Sequence, residues 1–334
     1  MSLERETQDW VLAATGAASV RTVEPVQQLW SGYGQLSRLH LDIGAGTGAG
    51  TGARSVILKH IAPPARHSHP RGWTGERADR RKRRSYAVEA SWYRRPPPSS
   101  DDGCPWPHAL AIRTAKDRVE LLLEDLAIAY PQRPARLDHR SIEHCLHWLA
   151  AFHARHLGDP GDALWRQGCY WHLDTRPDEL AAMPEGPLKR AAPLLDARLR
   201  RLRHPTLVHG DAKLANFLFS EDGERVAAVD FQYVGQGTGT RDLAYLLGSC
   251  LTEAELTVHH DRLLDRYDRL LVDRLAQWQP AVDGSAVAAE WRALHPIAWA
   301  DFHRFLSGWS PGHAKLTRHA QRLTDQALHA LHAG

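Results

Sequence analysis

The sequence predicts an α+β chain of two lobes, a β-rich N-terminal lobe over residues 1–126 and a mainly helical lobe over 127–334. Three observations predict it. From Val23 to Ile61 apolar residues alternate with polar ones in short runs, the period of half-buried strands. "VELLLEDL" (119–126) is the last strand-like run before the pattern changes. From Asp138 onward helical periodicity dominates, beginning with "RSIEHCLHWLAAFHARHLG". A chain of 334 residues is long enough to bury a core in each lobe.

The elements follow in order. Residues 1 to about 20 read as a helix. "VEPVQQLW", a short "SGYGQ" loop and "LSRLHLDI" read as two strands with a turn between them. Next comes "GAGTGAGTG" (44–52), whose five alternating glycines all carry even numbers. A G-x-G-x-x-G cradle needs a change of parity, no G-x-x-x-x-G-K-[ST] is present, and "SVILKHI" after the run is a strand rather than a helix. The run therefore reads as a hairpin turn. The basic stretch "RADRRKRR" (77–84) leads into the helical "SYAVEASWYRR", and "RPPPSSDDGCPWP" breaks the chain before two more strands.

Composition bounds the function. Hydrophobic content of 43% and charged content of 24% are those of an ordinary soluble domain, and a net charge of +3 gives no argument for nucleic acid. The basic run 77–84 reads as the solvated start of a helix. Four cysteines without C-x-x-C spacing fit reduced thiols, an N-terminus charged from Glu4 argues against a signal peptide, and no apolar run is long enough to span a membrane. A cytoplasmic protein is expected. His144 with His147, and His153 with His156, are i,i+3 pairs that each share a helix face, but without an H-E-x-x-H frame they read as packing or surface residues.

Chemistry concentrates in "LVHGDAKLANFLFSEDGERVAAVDFQ" (207–232). "NFLF" and "RVAAVDF" are apolar strands around the turn "SEDGE" and should pair as a hairpin. Asn216 and Asp230 each lie seven residues from Gly223, so the hairpin sets them roughly opposite one another. One carboxylate and one amide oxygen suit Mg²⁺, a hard ion that keeps positions open for phosphate and water. Asp211, in the loop before Asn216, is free to accept a proton from a hydroxyl.

This arrangement resembles the protein-kinase superfamily, where D-x-x-x-x-N is followed by a D-F on the next strand. The forms "HGD" and "VDFQ" are similar to the aminoglycoside phosphotransferase and choline kinase branch, which includes the ecdysteroid-kinase-like members. The resemblance implies a two-lobed protein-kinase-like fold and ATP- and Mg²⁺-dependent phosphorylation of a small hydroxylated molecule. It implies Asp211 as catalytic base, Asn216 and Asp230 as Mg²⁺ ligands, and His209 as a support for the loop. Lys213 would touch the transferred phosphate, and Asp242 in "RDLAYLL" would brace the loop. In the N-lobe it implies Lys59 on the third strand holding the α- and β-phosphates, with Glu89 as its helix partner. It also implies a hinge at Glu124 to Leu126 meeting adenine, and Gly32 and Gly34 covering the phosphates. Only G-x-G of the glycine-rich loop is present. "DFHRFLSGWSPGHAK" resembles bacterial members of the group without naming a substrate.

The rival reading is a catalytically silent kinase-like binding protein, against which the set Lys59, Asp211, Asn216 and Asp230 argues. The acceptor is left open. Residues 251–334 hold ten acidic and nine basic side chains, so no acidic groove for a polycation is evident. The twelve tryptophans admit an aromatic cage for a quaternary ammonium but suit ordinary core packing better.

Overall fold

The computed structural model describes residues 3–29, 32–43, 55–63, 76–97, 103–115 and 118–332. By internal contacts the chain forms two compact units, residues 1–97 with 106–129, and residues 98–105 with 130–334.

In the first unit, α1 (Arg5–Thr15) precedes β1 (Ser19–Gln28), β2 (Gly34–Asp42) and β3 (Ser55–Ile61). After them come α2 (Glu76–Tyr93), β4 (Ala109–Ala115) and β5 (Arg118–Glu124). The five strands form one antiparallel sheet in the order β1-β2-β3-β5-β4. Central β3 and β5 are rich in buried aliphatics, and β1, at the edge, is largely exposed. Val11, Leu39, Leu41, Val56, Leu58 and Leu122 make the core between α1 and the sheet.

The glycine run 44–52 lies outside the described residues. The strands on either side of it, β2 and β3, pair antiparallel from Gly34↔Ile61 to His40↔Ser55. The basic run 77–84 lies in the first turns of α2. There Arg83 pairs with Asp79 four residues back, and Lys82 covers the Tyr86 ring at 4.7 Å.

The second unit contains α3 (His139–Arg155), α4 (Pro177–Ala182) and α5 (Pro187–Arg200). Four three-residue strands follow: β6 (Thr206–Val208), β7 (Phe217–Phe219), β8 (Val226–Ala228) and β9 (Gly235–Gly237). The chain ends in α6 (Thr240–Cys250), α7 (Glu253–Trp278), α8 (Gly284–Trp309) and α9 (Arg318–His332). β6 pairs with β9 and β7 with β8, so the "HGD" loop and the "VDFQ" segment sit between two small ribbons. α7 starts on a capping box, Thr252 and Glu255 satisfying each other's backbone N–H groups. α5, α8 and α9 bury Leu195, Leu199, Leu294, Ile297 and Ala327 together. All four cysteines, Cys104, Cys145, Cys169 and Cys250, are buried thiols in this unit.

Candidate active site

In the first unit, Lys59 sits mid-strand on β3, between Leu36 of β2 and Leu121 of β5. Its Nζ lies 2.7 Å from Glu89 Oε1 on α2, and both side chains are almost wholly buried. An ammonium is brought into a sheet interior at high cost unless a carboxylate meets it, and Glu89 does so here. Tyr86, one turn before Glu89, presents its ring 6.0 Å from the same Nζ.

The turn between β1 and β2 is closed by Gly32 N–H donating to Leu29 O and Leu29 N–H donating to Gly34 O. Gly32 and Gly34 both have positive φ, +71° and +141°. A Cβ on Gly34 would stand 2.0 Å from the His60 carbonyl oxygen, whereas one on Gly32 would meet nothing. Gly34 therefore permits the close approach of β2 to β3.

At the end of β5, Glu124 N–H donates to His108 O at 2.8 Å. Leu126 opens a 3-10 turn, and the first amides of such a turn have no partner within it. Asp125 between them was not singled out from the sequence, yet it ties the segment down. It accepts from Arg38 Nε at 2.6 Å, Ser55 Oγ at 2.8 Å and Ala127 N at 3.1 Å. Burial pushes its carboxyl up, but the bonds from Arg38 and Ser55 outweigh that and hold it below its ordinary value.

In the second unit, β6 delivers His209, Gly210 and Asp211 into a loop whose backbone is held by one carboxylate. Asp242 at the start of α6 accepts from His209 N at 2.6 Å and Gly210 N at 2.9 Å, and it bonds His153 Nε2 at 3.1 Å. His153, read from the sequence as a packing or surface residue, thus orients the loop's anchor, and its Nδ1 bonds Tyr267 Oη at 2.7 Å. Asp211 N–H donates to His209 Nδ1, so His209 carries its proton on Nε2, facing Val229 O at 3.0 Å. His209 therefore ties the loop before Asp211 to the strand end before Asp230.

Asp211 is buried, with Oδ2 3.0 Å from Lys213 Nζ and 3.0 Å from Asn216 Nδ2. Burial pushes its carboxyl above the ordinary value against the pull of Lys213, and Asp230 adds to the rise. Burial alone would lower the Lys213 ammonium, but Asp211 more than offsets it. Asn216 directs Nδ2 to both the carbonyl and the carboxylate of Asp211, which turns its Oδ1 the other way, available to a cation.

The hairpin register refines the sequence expectation. Phe217 faces Ala228 and Asn216 O accepts from Val229 N, so Asp230 lies one residue beyond the position directly opposite Asn216. Asp230 has φ of +70°, uncommon for a side-chain-bearing residue, and accepts from Gln232 Nε2 at 2.5 Å. Phe231 anchors this bend, buried against His209 and Phe152. Among the described residues no group of three or more His, Cys, Asp or Glu could hold a metal. An amide oxygen with one carboxylate suits an ion that takes its other ligands from phosphate and water.

The segment after Trp165 was not read from the sequence as part of a site. Gly168 N–H donates to Gln236 O, Cys169 N–H to Tyr233 O and Tyr170 N–H to Gly210 O. These bonds lay Tyr170 against the Asp211 loop, where its ring meets Tyr245 at 5.4 Å and Phe305 at 5.4 Å.

No curated protein matches the chain. Residues 180–279 match the family model described as "Ecdysteroid kinase-like family". Among solved structures, an amicoumacin kinase in complex with AMP-PNP, Ca²⁺ and Ami aligns at 14% identity and TM-score 0.50, covering 98% of this chain and 97% of that one. A choline kinase from Cryptosporidium parvum Iowa II aligns at 8% identity and TM-score 0.51, covering 92% and 88%. At such identities the likeness concerns the fold. The chain thus has the protein-kinase-like fold of the small-molecule kinases, and its residues 180–279 resemble the ecdysteroid kinase-like family.

Proposed function

We propose that the protein catalyses ATP- and Mg²⁺-dependent phosphoryl transfer to a hydroxyl of a small molecule. The observation that carries this reading is the constellation around Asp211: a buried carboxylate bonded to Lys213 and Asn216, on a loop pinned by Asp242 and His209. A loop held at this many points suits catalysis that depends on positioning.

In this reading Lys59, fixed by Glu89, binds the α- and β-phosphates, Gly32 and Gly34 lie over them, and the backbone of Glu124 to Leu126 receives adenine. Asn216 Oδ1 and Asp230 would hold Mg²⁺, which when bound neutralises charge on the phosphates. Asp211 accepts the proton as the acceptor oxygen bonds to the γ-phosphorus and the bond to ADP breaks. Lys213 stays beside Asp211 and meets charge on the transferred group. Two proteins of similar fold support this reading, one a kinase bound to AMP-PNP with Ca²⁺ and one a choline kinase. A cytoplasmic location fits the expected ATP supply, and among the described residues no helix is long and apolar enough to cross a membrane.

The test is ADP release from ATP over a panel of alcohols, with and without Mg²⁺, for the wild type and Asp211→Asn. The variant keeps the side-chain shape and loses proton acceptance, so turnover should fall roughly 10²-fold or more while ATP still raises the melting temperature. Turnover in the variant equal to wild type, or full activity without divalent metal, would refute the proposal. ATP binding without turnover on any acceptor would favour the silent reading.

A further inference from the structure

Among the described cations of the second unit, Lys315 is one that lies on an aromatic wall and has no task in the catalytic reading. Lys315, in the turn between α8 and α9, lies half-buried with its Nζ 5.0 Å from the Tyr245 ring centroid and 5.8 Å from that of Phe302. Among the described residues no carboxylate makes a hydrogen bond or ion pair with it. The nearby charges are otherwise accounted for. Asp211 bonds Lys213, and Asp230 is read as a metal ligand. Arg176, the other cation of this aromatic wall, lies over the Tyr170 and Phe305 rings and is paired with Glu179 at 2.9 Å. Lys315 is left over.

Its place ties it to the reacting group. Tyr245 touches Tyr170, whose backbone bonds Gly210, next to Asp211. Asp211 and Lys213 are among the charges that act on the Lys315 ammonium. Burial and then Lys213 lower its pKa, while Cys250 and Asp211 oppose them. A half-buried ammonium without a carboxylate bonded to it gains from an incoming anion.

We infer that Lys315 selects an acceptor carrying an anionic group, with Tyr170 and Tyr245 receiving its apolar body and Asp211 its hydroxyl. The acceptor is then a hydroxy acid with an apolar framework. A quaternary or polyamine acceptor is disfavoured, because the cation positions on these aromatic faces are already taken by Lys315 and Arg176. This inference rests on the phosphotransferase reading for the hydroxyl's fate, but the recognition of the anion stands on Lys315 and its surroundings.

The experiment uses the full chain and a matched set of probes: benzyl alcohols and linear ω-hydroxy acids, each as carboxylate, carboxamide and amine. Binding is read by calorimetry with AMP-PNP and Mg²⁺, and turnover by ADP release with ATP and Mg²⁺, for wild type, Lys315→Met and Lys315→Arg. For at least one skeleton the carboxylate should be preferred to its carboxamide by roughly ten- to hundred-fold, the worth of a charge-assisted hydrogen bond. Lys315→Met should erase that preference through KM more than kcat, and Lys315→Arg should restore much of it. A preference for the amine forms, an unchanged carboxylate-to-carboxamide ratio in Lys315→Met, or no carboxylate binding across the set would overturn the inference. Lys315-dependent carboxylate binding without phosphorylation would retain it while sinking the kinase reading. Phosphorylation indifferent to Lys315 would do the reverse.

Discussion

At the scale of single residues, the candidate site divides into groups the sequence names and groups it hides. Lys59 and Glu89 are thirty positions apart, and the resemblance to the kinase superfamily nominates both, one by its place on a strand and one on a helix; the structure sets them 2.7 Å apart. Because Glu89 acts through Lys59, Lys59→Ala should cut kcat/KM for ATP by roughly 10²-fold and Glu89→Ala by less. Steady-state kinetics check this, and equal wild-type values in both variants would remove the pair from nucleotide handling. Asp230→Ala should abolish metal-dependent turnover, since the Asn216 amide alone is a poor divalent ligand. A variant still activated by Mg²⁺ at wild-type concentrations would exclude Asp230 as a ligand. Asp125 escaped notice because an acidic residue after a strand has many uses. Only the fold reveals that Arg38 and Ser55 converge on it.

At the scale of elements, periodicity located the strands and helices because one face of each is buried, but it could not fix register. Counting from Gly223 places Asn216 opposite Asp230, whereas the β7–β8 pairing centres the turn slightly earlier and sets Asp230 one residue on. A turn's detailed geometry decides this, and sequence spacing does not contain it. Gly34 is a second case. Beside its proposed place over the phosphates, it carries a constraint from the His60 carbonyl that the sequence does not show. Gly34→Val should therefore lower the melting temperature as well as ATP use. Gly32→Val, with space for a Cβ but a strained φ, should cost less. Thermal melts without nucleotide separate the two, and equal stability for both would contradict the close approach.

The sheet also has a pH signature. The pKa values of Asp125 and Glu120 are held below their ordinary 3.8 and 4.5 although burial opposes this, by bonds from Arg38 and Ser55 and from Arg113 and His60. A depressed carboxyl contributes stability that is fully present above its unfolded-state value and is lost as pH falls through the folded one. The urea midpoint should drop below about pH 4, and the drop should shrink in Arg38→Met. A slope unchanged by that substitution would leave the Arg38–Asp125 bond without a stabilising role.

At the scale of the whole molecule, the class of fold, strands first and helices after, was legible because the hydrophobic period itself changes near residue 126, whereas nothing in that period marks residues 98–105 as grouping with the helical unit. The wall formed by Tyr170, Tyr245, Phe302 and Lys315 was not, because its members come from separate elements and meet only through tertiary packing. No local motif announces such a wall.

The distribution of cysteine has a further consequence. All four thiols belong to the helical unit, and none belongs to the sheet-bearing one. Burial raises the Cys145 and Cys169 thiols well above their ordinary value and Cys250 to about 11. Only the thiolate attacks a disulfide reagent, so these groups should stay silent until the helical unit opens. The chain thus contains its own stopwatch for one half. Colour release from an aromatic disulfide would time the breathing of the helical unit without any signal from the sheet, and on the proposed reading a saturating acceptor should slow the clock.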